Sequence, residues 1–249
     1  MVLSMSLTTS ALRRMRHIGS FGAVAGLVGC ACTVAVGQSA TSGEARSRVA
    51  SILESPLSQP PPRGSMDLTV AVRDILSTAG AYGGAVVLDR CADHHYRIAY
   101  RNTGHATTLK DALDAVVVAA PTYRWTLSDE GAINLLPVGK LPPLLETEIR
   151  YFDWDVSTPM VTALAYLSAT HEVRQRKLEL NLIQWGHGGL SAVPIGGPVE
   201  KPRDWRRVEH VSLLSALNAI ARSYGKGVWV YSECRHTDSI AIELSNVVQ

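Results

Sequence analysis

Two ten-residue stretches, TLKDALDAVV from Thr108 and SLLSALNAIA from Ser212, carry the same apolar spacing. Leu109, Ala112, Leu113, Val116 and Val117 stand at i, i+3, i+4, i+7 and i+8. Leu213, Ala216, Leu217, Ile220 and Ala221 repeat the set 104 residues later, counted from Leu109 to Leu213. Such spacing lays one apolar stripe along a helix, and Thr108 and Ser212 are placed to accept free amides of the first turn. Amphipathic helices of this kind are common, so the segment after each helix narrows the choice. Trp125 and Trp229 each lie 16 residues after the first leucine of their helix, inside YRWTL and GVWVYSE. Both segments read as strands, closed by INLLP and SIAIEL as hairpin partners. The pattern predicts one small helix-plus-hairpin unit used twice.

Around the first copy, DLTVAVRDILSTAG places Leu68, Val72, Ile75 and Leu76 on one helical face that Gly80 can end. AVVLD reads as a buried strand, YRIAYRN as an alternating one, and Pro121 closes the repeated helix. The expected order is helix, strand, strand, helix, strand, strand. In the second copy TEIRYF alternates as a strand, and Thr158 caps a helix, MVTALAYLSA, with Pro159 at its first position. HEVRQRKLELNLIQ reads as added helix and Trp185–Pro202 as an irregular Gly/Pro-rich loop, before a short strand over Val208–Val211. The fold class expected is α+β: units at 66–140 and 144–249, the second with an insertion at about 170–207.

The 249 residues hold 24 basic and 22 acidic side chains, but Arg13, Arg14 and Arg16 sit in an N-terminal segment with no acid before Glu44. Without those three the balance is 21 against 22, which gives no footprint for nucleic acid. The arginines precede an apolar, small-residue run from Ile18 to Val36, the form of an export signal over residues 1–37. Three outcomes fit it: cleavage after Ala35-Val36-Gly37, lipidation of Cys30 after Leu27-Val28-Gly29, or retention as an uncleaved anchor. Residues 38–65, with SQPPPRGS, have a linker composition, in which EARSRVASILES is expected to form a transient rather than docked helix.

TTLKDALDAVVVAAPTYRWTLSDEGAINLLP resembles the second half of the secretin and TonB short N-terminal (STN) domain: a capped helix with a central Ala-Leu, an aromatic-bearing strand and a closing strand. TVAVRDILSTAGAYGGAVVLD is similar to its first half, so the resemblance spans about residues 67–137. Val208–Leu244 resembles a second, more divergent copy. The resemblance implies a small periplasmic domain that docks protein partners and catalyses nothing. In that family the domain stands in front of an outer-membrane barrel or secretin, whereas here Gln249 follows directly after the second hairpin. A free-standing periplasmic or membrane-tethered adaptor is the expectation. The matched positions are core positions, so no functional residue carries over.

Several residues stand as chemical candidates beside that reading. His171-Glu172 opens like a zinc helix, but Gln175 stands where the second histidine is needed. GHGGLS lacks the third glycine of a dinucleotide loop and the lysine of a phosphate loop, and no G-x-S-x-G elbow occurs. His187 in the glycine loop is a candidate base, and Asp153 and Asp155 share one strand face. Cys91, His94 or His95, Cys234 and His236 are ligand types suited to zinc, although their spacing is unlike a zinc ribbon. For Cys91 and Cys234 a disulfide suits an oxidising compartment, with free thiols and metal as the alternatives. The expected function is an exported non-enzymatic module that binds another cell-envelope protein, with no catalytic residue, metal or cofactor. The alternative is a periplasmic metal-binding protein or hydrolase using the histidine-rich loops.

Overall fold

The computed structural model describes residues 47, 50–54, 56–57, 64–88, 96–100, 107–128, 130–184, 204–225, 227–234 and 239–246. The expected export signal with Cys30, most of the linker, Cys91, His94, His95, His236 and the loop holding His187 lie outside the described residues.

The first copy contains β1 (Gly64–Asp67), α1 (Leu68–Thr78), β2 (Gly83–Leu88), β3 (Arg97–Tyr100), α2 (Leu109–Ala119), β4 (Tyr123–Leu127) and β5 (Ile133–Pro137). The second contains β6 (Glu148–Asp155), α3 (Met160–Ser168), α4 (His171–Glu179), β7 (Ile183–Gln184), β8 (Trp205–Ser212), α5 (Leu213–Ser223), β9 (Gly227–Cys234) and β10 (Ser239–Asn246). The chain is mixed α+β. α2 and α5 begin where side-chain oxygens can accept orphan amides: Thr108 accepts from Asp111 N in a capping box, and Ser212 accepts from Ser215 N. Asp67 does the same for α1 through Thr69 N at 2.8 Å.

Five local expectations shift. α3 starts at Met160 with Pro159 as its cap residue, because the Thr158 hydroxyl donates to Asp155 O at 2.7 Å instead of capping. β8 begins at Trp205 rather than Val208, and β7 lies inside the segment read as added helix. β1 was not legible in GSMD, which has too few β-formers to signal a strand. The segment EARSRVASILES, expected to be transient, is docked at its C-terminal end: Leu53 is buried in the first core, Ile52 and Leu57 pack against that core, and Leu57 N donates to Thr107 O. Its apolar residues find an apolar surface to cover, which the Pro-rich composition around them concealed.

The two copies have the same strand order. In the first, β1 pairs with β3 antiparallel, β4 with β5 antiparallel, and β5 with β2 parallel. In the second, β6 pairs with β8 antiparallel, β9 with β10 antiparallel, and β10 with β7 parallel. Thus β7, within the expected insertion, occupies the place of β2. Parallel pairing of β2 with β9 then fuses the two three-stranded pieces into one sheet, ordered β4-β5-β2-β9-β10-β7.

Tracing directions through these pairings, the second trio repeats the left-to-right order of the first with every strand reversed. A half-turn about an axis crossing the strands, with a shift of three strands along it, produces that relation, and it sends the two sets of helices to opposite faces. The cores agree. Ala85 and Val87 of β2 and Val228 of β9 join Leu109, Leu113 and the α1 leucines in one core; Val86, Trp229 and Tyr231 join Leu213, Leu217 and Met160 in the other. Covered on both faces, β2 and β9 read as nearly unbroken apolar runs instead of alternating ones.

The equal spacing of the tryptophans has a structural cause. Trp125 Nε1 donates to Asp114 Oδ1 at 2.7 Å, and Trp229 Nε1 donates to Asn218 Oδ1 at 2.9 Å. Each acceptor lies five residues into its leucine-led helix, so the strand is pinned to the helix in the same register twice. The acceptor differs with its surroundings. Asn218 is 3% exposed, where a carboxylate would be costly, whereas the Asp114 side chain is half-exposed and paired with Lys110 Nζ at 2.7 Å. Burial pushes the Asp114 carboxyl up, but hydrogen bonds from Lys110 and Trp125 outweigh it and hold the group below its ordinary value. Asn218→Leu is therefore expected to cost about 1–3 kcal/mol, because it strands a buried indole N–H. Asp114→Leu, at a site water can reach, should cost less than about 1 kcal/mol in the same urea titrations. Equal costs would mean that burial does not separate the two bonds.

Candidate functional site

Among the described residues, the outer face of the β6–β8 ribbon gathers side chains suited to recognition. Its register sets Tyr151 opposite Glu209, Asp153 opposite Arg207, and Asp155 opposite Trp205. Trp205 is 54% exposed and Tyr151 48% exposed, although both are large and apolar in body. The Arg207 guanidinium lies 4.9 Å from the centre of the Tyr151 ring, and the Tyr151 hydroxyl donates to Asp153 Oδ2 at 3.0 Å. Arg207 also approaches Glu209 Oε1 at 3.6 Å. Exposed ion pairs of this kind contribute little to stability, so they position side chains more than they hold the ribbon together.

The opposite face anchors the ribbon. Phe152 and Trp154 are buried and stacked with ring centres 5.5 Å apart, and Trp154 Nε1 donates to Ser223 Oγ at the end of α5. Tyr224 then donates its hydroxyl to Thr158 O at 2.8 Å, closing the turn after β6 against the helix end. Ile149 and Phe152 are both buried although three residues apart, which a straight strand with a period of two forbids. The change of phase falls where Arg150 and His210 drop out of the register, and His210 there adopts φ 51°. His210 Nδ1 lies 2.9 Å from Glu148 Oε1. Histidine tolerates this left-handed conformation better than a branched residue would.

The acidic pair anticipated from sequence shares this face but serves structure. Asp153 is held by Tyr151, and Asp155 Oδ1 accepts from Ser157 N at 2.9 Å and Asp204 N at 3.2 Å, tying the turn to the start of β8. His171 is exposed at the first position of α4, and Glu172 accepts from Arg150 Nε at 2.9 Å. Glu172 sits below its ordinary pKa, chiefly through its own backbone amide and then through Arg150. No group of three or more His, Cys, Asp or Glu among the described residues is arranged to hold a metal ion. No described helix is long and apolar enough to cross a membrane. Cys234, 1% exposed at the end of β9, is disulfide-bonded, with its partner outside the described residues. It offers no thiolate while so bonded.

Trp205 and Tyr151 were missed as surface residues. The signal was present in EIRYFDWD, where Phe152 and Trp154 alternate with Tyr151, Asp153 and Asp155, but Trp205 stood at the edge of a Pro-rich segment that obscured its strand. No protein-family model, curated protein or solved structure matches the chain.

Proposed function

We propose that this chain is an exported, non-enzymatic module that binds another protein of the cell envelope, with the outer face of β6–β8 as its docking surface. The observation that carries the reading is the exposed Trp205, Tyr151 and Arg207 on a ribbon whose other face is anchored by buried aromatics. Trp, Tyr and Arg are the residue types in which interface energy concentrates, and a rigid platform lowers the ordering cost of binding. The resemblance of both copies to the short N-terminal domain of secretins and TonB-dependent receptors adds support, since that domain docks proteins. A disulfide-bonded Cys234 suits the oxidising side of a membrane, as does the arginine-led apolar segment before Gln38.

The test compares the wild-type chain with Trp205→Ala in pull-downs from membrane extracts. A stoichiometric envelope protein should be recovered with wild type and weakened at least about 30-fold by the substitution, the scale of a hot-spot residue. Equal recovery with both chains would remove the ribbon from the interface. Stoichiometric zinc in the purified protein would instead favour a metal-binding protein or hydrolase built on the histidine-rich loops.

A further inference from the structure

Among the described residues, one edge of the six-stranded sheet lacks the counterpart of the pairing between β2 and β9. In the second copy the outer edge of β9 is covered by β2, and with it the neighbouring side of α5: Asn218, Ala219, Trp229 and Tyr231 are all buried. Their counterparts in the first copy are Asp114, Ala115, Trp125 and Leu127, at the same offsets from the leading leucine, and all four are only partly buried. β4 ends the six-stranded sheet, so among the described residues no strand covers its outer edge. Among the described residues, the second half has its strand in place and the first presents the same shelf without it.

The backbone of β4 is ready for pairing. Val138 N donates to Thr122 O and Ser128 N donates to Ala132 O, which fixes the even-numbered residues as those bonded to β5. Arg124 and Thr126 therefore turn their amides and carbonyls inward, while Trp125 and Leu127 turn theirs outward. Tyr123 N is already used by Ala120 O. An outward N–H and C=O at Trp125 and at Leu127 can serve a strand running parallel to β4, as β2 runs parallel to β9.

We infer that the β4 edge is a second binding site, distinct from the β6–β8 face, for an extended uncharged segment of a partner protein added in parallel. The internal occupant defines the chemistry of its guest. Gly84 lies opposite Trp229 because the indole fills the space a Cβ would need, and Val86 lies opposite Tyr231. Transferred to β4, a glycine belongs beside Trp125 and a branched apolar residue beside Leu127. Strand addition of this kind takes affinity from main-chain hydrogen bonds and selectivity from alternate side chains.

The probe is a synthetic peptide with the sequence AYGGAVVL, Ala81 to Leu88 of the chain itself, added to the isotope-labelled full chain. Saturable amide shifts should appear at Trp125 and Leu127, with slowed hydrogen exchange at those two amides. A spin label on the peptide N-terminus should broaden Arg124 more than Leu127, as parallel addition requires. Leu127→Pro removes an outward N–H without breaking a bond to β5, and it should abolish the shifts while leaving the Tyr123 and Leu135 signals at native positions. Trp205→Ala should leave peptide binding unchanged, so failure at the ribbon and failure at this edge are separate results. Amides of Trp125 and Leu127 already protected in the free chain would overturn the site, because a segment of the chain would then occupy it. So would shifts that survive Leu127→Pro, the reversed broadening pattern, or the absence of saturable shifts.

Discussion

The Gly84→Ala variant is expected to lose at least about 3 kcal/mol of folding stability, at the upper end of what overpacking costs. A Cβ built on Gly84 falls 2.1 Å from Cδ2 and 2.2 Å from Cε2 of Trp229. Neither side can yield easily. The indole is fully buried and held by its bond to Asn218, while β2 and β9 are paired along their length and packed between two cores. The residue sits in the seam between the copies, so the loss should fall on the cooperative unfolding of the whole sheet. Against a total of about 5–15 kcal/mol for a typical domain, that is a large fraction. Urea titration should show a lower midpoint with an unchanged slope. In a Trp229→Leu background the same alanine should cost markedly less, the non-additivity of residues in contact. A cost under about 1 kcal/mol in the wild-type background would mean that the indole is not seated over Gly84.

Removing the disulfide at Cys234 is expected to cost about 2–5 kcal/mol, the usual range for a native bridge. Leu88 and Glu233 are register partners at the ends of the parallel β2 and β9, Cys234 follows Glu233 directly, and Cys91 follows Leu88 by three residues of sequence. Cys91 is therefore the partner we expect. That link would join positions 143 apart in sequence (234 − 91) and restrict the unfolded chain strongly. Peptide mapping without reductant should recover the two cysteines in one cross-linked fragment, and Cys234→Ser should lower the urea midpoint. Recovery of Cys234 joined to another cysteine, or a midpoint that reductant leaves unchanged, would contradict the pairing.

Much of the fold was legible where one physical signal acted alone. The α2 and α5 stripes, their Thr108 and Ser212 caps and the two hairpins follow from apolar period and turn residues, and all are present. The shared sheet was not legible, because nothing local distinguishes a strand buried by its own helix from one buried by two. GGAVVL and GVWVYSEC carried the clue, being apolar on both faces, yet only pairing between distant segments gives it meaning. The short β7 was lost for the opposite reason: two residues hold too little pattern to be read against the helix before them. At the candidate site, the acidic pair divides: Asp155 braces the turn after β6, while Asp153 accepts from the Tyr151 hydroxyl. The exposed aromatics beside it were overlooked, since a tryptophan in sequence reads first as core.

The measurement that bears most directly on a docking role is photo-cross-linking in intact cells. A photoreactive amino acid would replace Trp205 in one strain and the exposed Arg174 of α4 in another. One discrete adduct with an envelope protein is expected at position 205 and none at position 174. Equal labelling at both positions, or no adduct at 205, would contradict the assignment of the β6–β8 face as a protein-docking surface.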